Sequence, residues 1–255
     1  MPVQKSFQYP GFLEKRTRMI HYFNTIGKRY DLADTLMSFG LHFFWRKACL
    51  QYLDMKKDTC ILDLCGGTGE FARRIAHLNT RGVFVVCDFS PVMMAAGKKK
   101  ADAGSAKNKI HWVQGDAEQL GFCNNCFDAV FVGFGIRNLV DMPGGFAEIS
   151  RILKPGGKLI IMEFSTPKTP WIKTLYNWYS FKIMPFFGKV ITGETAPFIY
   201  LAESVRRFPA PETIKTLLEA SGFSRVGFNR LTDGIVIAYC GRKRDPTVSE
   251  NERLK

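Results

Sequence analysis

Short runs of apolar residues alternate along the chain with stretches whose apolar positions recur three or four residues apart. CILDL (60–64), VFVVCD (83–88), KIHWVQGD (109–116), FDAVFVG (127–133) and KLIIMEF (158–164) read as strands, and GEFARRIAHL, PVMMAAGKKKA and PGGFAEISRIL between them as helices. That order predicts a parallel sheet wrapped by helices. A later helix near 211–221 precedes SRVGFNRLT and GIVIAYCG, which are separated by the turn pair Asp233-Gly234, so the last two strands should run antiparallel.

Between the first strand and first crossover helix lies DLCGGTG, with Asp63 inside it and Gly67 and Gly69 at its end. Glycine there lets a ligand approach the backbone at a helix N-terminus. Asp88 closes the second strand, where a carboxylate accepts from both hydroxyls of a ribose, and Asp116 after the third strand suits an exocyclic adenine amine. Three strand ends in register make a nucleoside pocket. Dinucleotide sites prefer G-x-G-x-x-G over a pyrophosphate, whereas an acid within the turn suits a cationic amino-acid moiety. S-adenosylmethionine fits that better, with NAD as the rival.

Composition narrows the setting. With 255 residues and 46% hydrophobic content, one large α/β domain over 1–244 is expected, followed by a polar tail over 245–255. The longest apolar runs, such as LIIM at 159–162, are far too short to span a bilayer, and the first residues lack the apolar centre of a signal peptide. Seven scattered cysteines read as reduced thiols, so a cytoplasmic location is expected. A formal charge of +13 favours acidic partners, whether nucleic acid, anionic lipid or phosphate-bearing ligands, or is simply a soluble surface.

More specific are YDLADTLMSFGLHFFW (30–45) and RILKPGGKLIIMEFS (151–165), which resemble the two signatures of the UbiE/MenG family of quinone C-methyltransferases. FGIRN (134–138), YLAESVRRFP (200–209) and LTDGIVIAYCG (231–241) extend the resemblance. It implies a class I, Rossmann-like methyltransferase fold: a seven-stranded, mostly parallel sheet with an antiparallel last strand and helices on both faces. It also implies S-adenosylmethionine as donor and a prenylated quinol as acceptor. Cofactor contacts then fall on Thr68, Asp88 and the Asp116-Ala117 pair, with Met93 either covering an adenine face or belonging to the core. Gly133, the Ala33-Asp34 pair, Pro211 and Tyr239 depart from the residues frequent in the family. Cys123 and Cys126 have CxxC spacing without a partner pair, so no metal is expected.

Methylation of a quinol carbon requires a ring oxygen held as phenolate, hence a nearby cation. Arg137 is the first choice, with Asn138 as a neighbouring donor, against the alternative of a salt bridge at a helix start. Tyr30 and His42 are the candidates for ordering or accepting the proton. An N-terminal helical cap is expected over about 12–57 and an aromatic insertion over about 166–200. Within the insertion Trp171, Leu175 and Trp178 share one helical stripe, with Ile172, Tyr179 and Ile183 beside it. A lid, a helix gathering substrate at an anionic membrane surface, and a homodimer face are equally open readings. An RNA methyltransferase would carry a binding appendage or a nucleophilic cysteine before proline, so no nucleic-acid partner is expected. A noncatalytic S-adenosylmethionine-binding module would need neither FGIRN nor the insertion.

Overall fold

The computed structural model describes residues 12–54, 59–78, 82–104 and 109–246; the end of the expected cap and most of the polar tail lie outside them. Three helices precede the first strand: α1 (Phe12–Ile26), α2 (Tyr30–Met37) and α3 (Leu41–Leu50). Strand and helix then alternate through β1 (Cys60–Leu64), α4 (Glu70–Leu78), β2 (Val83–Asp88), α5 (Pro91–Asp102), β3 (Ile110–Gln114), β4 (Phe127–Gly133), α6 (Met142–Ile152) and β5 (Leu153–Phe164). Four helices follow, α7 (Pro170–Trp178), α8 (Met184–Thr192), α9 (Ala196–Arg207) and α10 (Pro211–Ala220), before β6 (Phe223–Leu231) and β7 (Val236–Lys243).

The strands form one seven-stranded sheet in the order β3-β2-β1-β4-β5-β7-β6. The first five are parallel; β7 is antiparallel to both of its neighbours. The order reverses between β1 and β4, which opens a crevice at the carboxyl ends of those strands. β5 begins earlier than the apolar run indicates, because Leu153 pairs with Phe127 before a register shift carries the chain through its glycine pair to Lys158 opposite Ala129.

Alternation along the strands sends successive side chains to opposite faces. Leu62, Val130 and Ile161 pack with α6 and α10, whereas Ile61, Phe131 and Met162 pack with α3 and α4. A third, smaller cluster of Ile26, Ala33, Met184, Phe198 and Ala202 joins the N-terminal helices to α8 and α9. The insertion is one nearly continuous helical rod, with a π turn over Tyr179–Ile183 joining α7 to α8. Tyr179 Oη donates to the carbonyl of Met37 at 2.7 Å, so the rod is tied to the cap.

Candidate active site

The site grows from the turn after β1. Cys65, Gly67 and Gly69 all adopt positive φ, at 54°, 55° and 65°. Asp63 is buried and accepts from the amide of Ala72 at 3.0 Å, which satisfies one of the free N–H groups at the start of α4. Burial pushes its carboxyl up to about 7. Gly67 lines the crevice as expected, but Gly69 does not. A Cβ on Gly69 would lie 2.6 Å from the Trp112 ring, so packing against β3 requires that glycine, not a ligand.

Asp88, at the end of β2, accepts from the amides of Gly67 and Ser90, each at 2.8 Å. Burial pushes its carboxyl up to about 6. It stands where two chambers of the crevice meet. One is lined by Asp116, Ala117 and Leu139, the other by Asp63, Gly67, Thr68, Glu70 and Met93. An elongated ligand with a base at one end, a ribose in the middle and an amino acid at the other matches this order. Met93 is buried and lines the second chamber beside Asp88 and Phe89. Phe89, missed in the sequence, borders both chambers, and only its place directly after Asp88 could have signalled it.

Thr68 donates from its hydroxyl to Asp31 Oδ1 at 2.6 Å, and Asp31 is also paired with Lys100 and Arg73. Burial alone would raise the Asp31 carboxyl, but the hydrogen bonds from Lys100 and Thr68 hold it below the usual range. The first signature is thus latched over the glycine turn.

A third cavity, of about 400 Å³, lies between the cap and the insertion, with walls that are overwhelmingly apolar. Phe23 and Tyr30 border both this cavity and the chamber that Asp63 and Thr68 line, so they form the partition between them. Burial raises the Tyr30 phenol well above its ordinary value and leaves it a neutral O–H donor rather than a proton acceptor.

Arg137 lines this cavity, and it is also ion-paired. Its Nη1 donates to Glu163 Oε1 at 2.7 Å and to the Phe134 carbonyl, and its backbone amide donates to Glu163 Oε2 at 3.1 Å. The side chains are 5% and 0% exposed. The salt bridge weighed against phenolate stabilisation is present, and Arg137 also borders the cavity. Arg137 Nε is buried with no hydrogen-bond partner. Asn138 borders both cofactor chambers and accepts on Oδ1 from Tyr200 Oη at 3.1 Å, while Tyr200 itself faces the third cavity. Glu163 and Tyr200 were visible only as members of quoted motifs, because nothing local marks which strand end or helix face meets Arg137 and Asn138.

His42 is not where a proton acceptor is needed. It is buried in α3 and borders none of the three spaces. Thr35 Oγ1 donates to the Asp31 carbonyl at 2.7 Å and so accepts from His42 Nε2 at 3.1 Å, while Nδ1 faces the Arg46 guanidinium. That pattern holds the ring neutral, and burial lowers its pKa.

Asp34, His42 and Glu70 place ligand-type atoms within 4.8 Å of one another. Arg46 Nη2 lies 3.1 Å from Asp34 and 3.3 Å from Glu70, so a metal ion would have to displace a resident cation. Cys126 Sγ donates to the Cys123 carbonyl at 3.0 Å. The departures have local reasons. A Cβ at Gly133 would meet the Phe131 ring at 2.9 Å, Ala33 belongs to the third cluster, Asp34 pairs with Arg46, Pro211 opens α10 and Tyr239 is core.

The model of the ubiE/COQ5 methyltransferase family matches residues 13–243. The chain belongs to this family. It is 38% identical over 231 residues to a ubiquinone/menaquinone biosynthesis C-methyltransferase UbiE of Francisella philomiragia, covering 90% of this chain and 92% of that one. The UbiE protein of Paracoccus denitrificans is 36% identical over 244 residues, covering 95% and 98%. Among solved structures, human N-acetylserotonin methyltransferase in complex with SAM matches with a TM-score of 0.62 and 20% identity over 93% of this chain and 61% of its own. The [4+2]-cyclase SpnF matches with 0.59 and 17% over 78% and 80%. A cyclase on the same architecture shows that the fold alone does not specify the reaction. The family does: this methyltransferase uses S-adenosylmethionine.

Proposed function

We propose that this methyltransferase methylates a ring carbon of a prenylated demethylquinol, of the ubiquinone or menaquinone type. Quinone-biosynthesis C-methylation is the activity named for its relatives. The observation that supports the reading is the partition of Phe23 and Tyr30, across which a largely apolar cavity adjoins the chamber lined by Asp63, Gly67 and Thr68.

When bound, S-adenosylmethionine supplies an electrophilic methyl group on a sulfonium. Asp88 would accept from the ribose hydroxyls, the Asp116-Ala117 segment would face the base, and Asp63 with Thr68 and Gly67 would receive the amino-acid end; these residues line the two chambers. The buried carboxylates fit a cation, because ionising them inside the protein is unfavourable until a positive charge arrives. On the acceptor side Arg137 stabilises negative charge on the quinol oxygen, and its Glu163 partner moderates that charge while fixing its direction. Tyr30 and Tyr200 present neutral hydroxyls, kept protonated by burial, to orient the ring. The acceptor's reactivity then depends on positioning and exclusion of water, which the aromatic walls provide.

The test is a methyl-transfer assay with deuterated-methyl S-adenosylmethionine and two reduced, short-chain acceptors, a demethylnaphthoquinol and a demethoxy-type benzoquinol lacking the ring methyl. Mass analysis should show label on a ring carbon of at least one of them. Tight cofactor binding without transfer to either acceptor would reject the assignment.

A further inference from the structure

The insertion rod has two faces with different fates. Its inner side, with Ile172, Tyr176 and Tyr179, closes the acceptor cavity. Its outer side carries Trp171, Leu175 and Trp178 at helical spacing, and then Phe186 and Val190 beyond the π turn, whose extra residue keeps both halves of the stripe on one side. Trp171, Phe186 and Val190 are 69%, 63% and 66% exposed. The stripe continues onto the turn between α2 and α3, where Phe39 is 78% exposed with its ring 5.7 Å from that of Tyr179. Phe39, Leu175 and Trp178 also line the cavity, so the apolar plate surrounds the cavity mouth.

Charge along the segment that carries the plate is one-sided. Between Glu163 and Glu194 the chain has no acidic residue, but it has Lys168, Lys173, Lys182 and Lys189, all exposed. We propose that this outer face docks on an anionic lipid bilayer, with Trp171, Phe186 and Val190 entering the interface, the lysines against the headgroups, and the cavity mouth opening toward the membrane. The proposal rests on the prenylated-acceptor reading and adds where that acceptor enters. A second copy of this chain is a poorer occupant, because a two-fold contact would set the same lysine row against itself and seal both mouths. A closing lid is a poorer one too, since the inner face already contacts the cavity while the outer aromatics remain in water.

Flotation with phosphatidylcholine vesicles, with and without phosphatidylglycerol, tests this. The wild type should bind the anionic vesicles, release them as salt rises, and shift its tryptophan emission to the blue, with Trp171→Phe removing part of that shift. Each lysine near an anionic surface contributes about fivefold in binding, so losing three costs on the order of a hundredfold, and the charge-reversed K173E/K182E/K189E should bind at least that much more weakly. W171S/F186S/V190S should also bind more weakly, but without loss of the salt dependence. Neither set of positions lines a chamber of the site, so turnover of a soluble short-chain acceptor should stay near wild type in both. Equal vesicle binding by wild type and the charge-reversed variant would overturn the proposal. So would a wild-type dimer whose dissociation exposes Trp171. A wild type that binds anionic vesicles yet methylates no quinol in solution would reject the acceptor and leave the docking surface supported.

Discussion

The two halves of the site are built in different ways. The cofactor half takes its polar groups from consecutive strand ends and the turns after them, Asp63, Thr68, Asp88 and Asp116, within one stretch of chain and in one sheet register. The acceptor half is assembled from helices far apart in the chain, α1–α3 and α7–α9, around a small apolar cluster, and its polar groups are mainly phenols, with the Arg137 ion pair, Asp34 and two serines. Backbone geometry holds the first half. The second depends on side-chain packing, which explains why it has room for a hydrophobic cavity and an exposed apolar rim.

The largest expected effect separates charge from packing at the junction. Arg137→Met leaves Glu163 buried without its partner, and thermal or denaturant unfolding should report a loss of about 3–5 kcal/mol. The double variant R137M/E163Q removes the unpaired charge and should recover most of that stability. Its turnover per folded molecule, at saturating cofactor, should remain roughly a hundredfold down if Arg137 acts on the acceptor oxygen. Recovered turnover would make the pair purely structural.

A smaller effect addresses the cofactor half alone. Asp88→Ala should weaken S-adenosylmethionine by about 2 kcal/mol, roughly thirtyfold, because charge-assisted contacts are lost and the Gly67 amide and ribose hydroxyls are left unpaired. Calorimetry reads it directly, and unchanged affinity would move the ribose elsewhere.

The smallest effect is a proton. Asp63 and Asp88 titrate at about 7 and about 6 in the folded chain, above the value near 4 of an exposed aspartate. Each therefore costs no stability below about pH 4, where it is protonated folded or unfolded, and the free protein loses stability as pH rises toward the folded values. A cation in the crevice favours ionisation. Binding of S-adenosylmethionine near pH 6.5 should release a fraction of a proton, measurable by calorimetry in buffers of different ionisation enthalpy, and Asp63→Asn should reduce it. Identical heats in every buffer would mean that the cofactor's cation does not reach Asp63.

The crevice at the strand ends was legible because its determinants are local. A strand end, a glycine turn and an acid at fixed spacing define a position in an α/β sheet before any tertiary contact is known. At position 69 a neighbour from elsewhere decided: Trp112 is why that position needs glycine. His42 failed for a different reason. Its motif lies beside the site, but the helix phase turns its ring into the Asp34–Arg46–Glu70 network.

By itself, the pattern of apolar runs and acids determined the order of strands and helices and a crevice for a nucleoside, with S-adenosylmethionine favoured over NAD, because period and spacing are properties of the chain alone. The folded structure decided which distant residues meet: Asp31 with Thr68, Arg137 with Glu163, Asn138 with Tyr200, and the cap with the insertion. It also decided which side of the aromatic rod lines the cavity and which meets solvent. An amphipathic stripe states that a helix has two faces, but only the packing of its neighbours says what covers each of them.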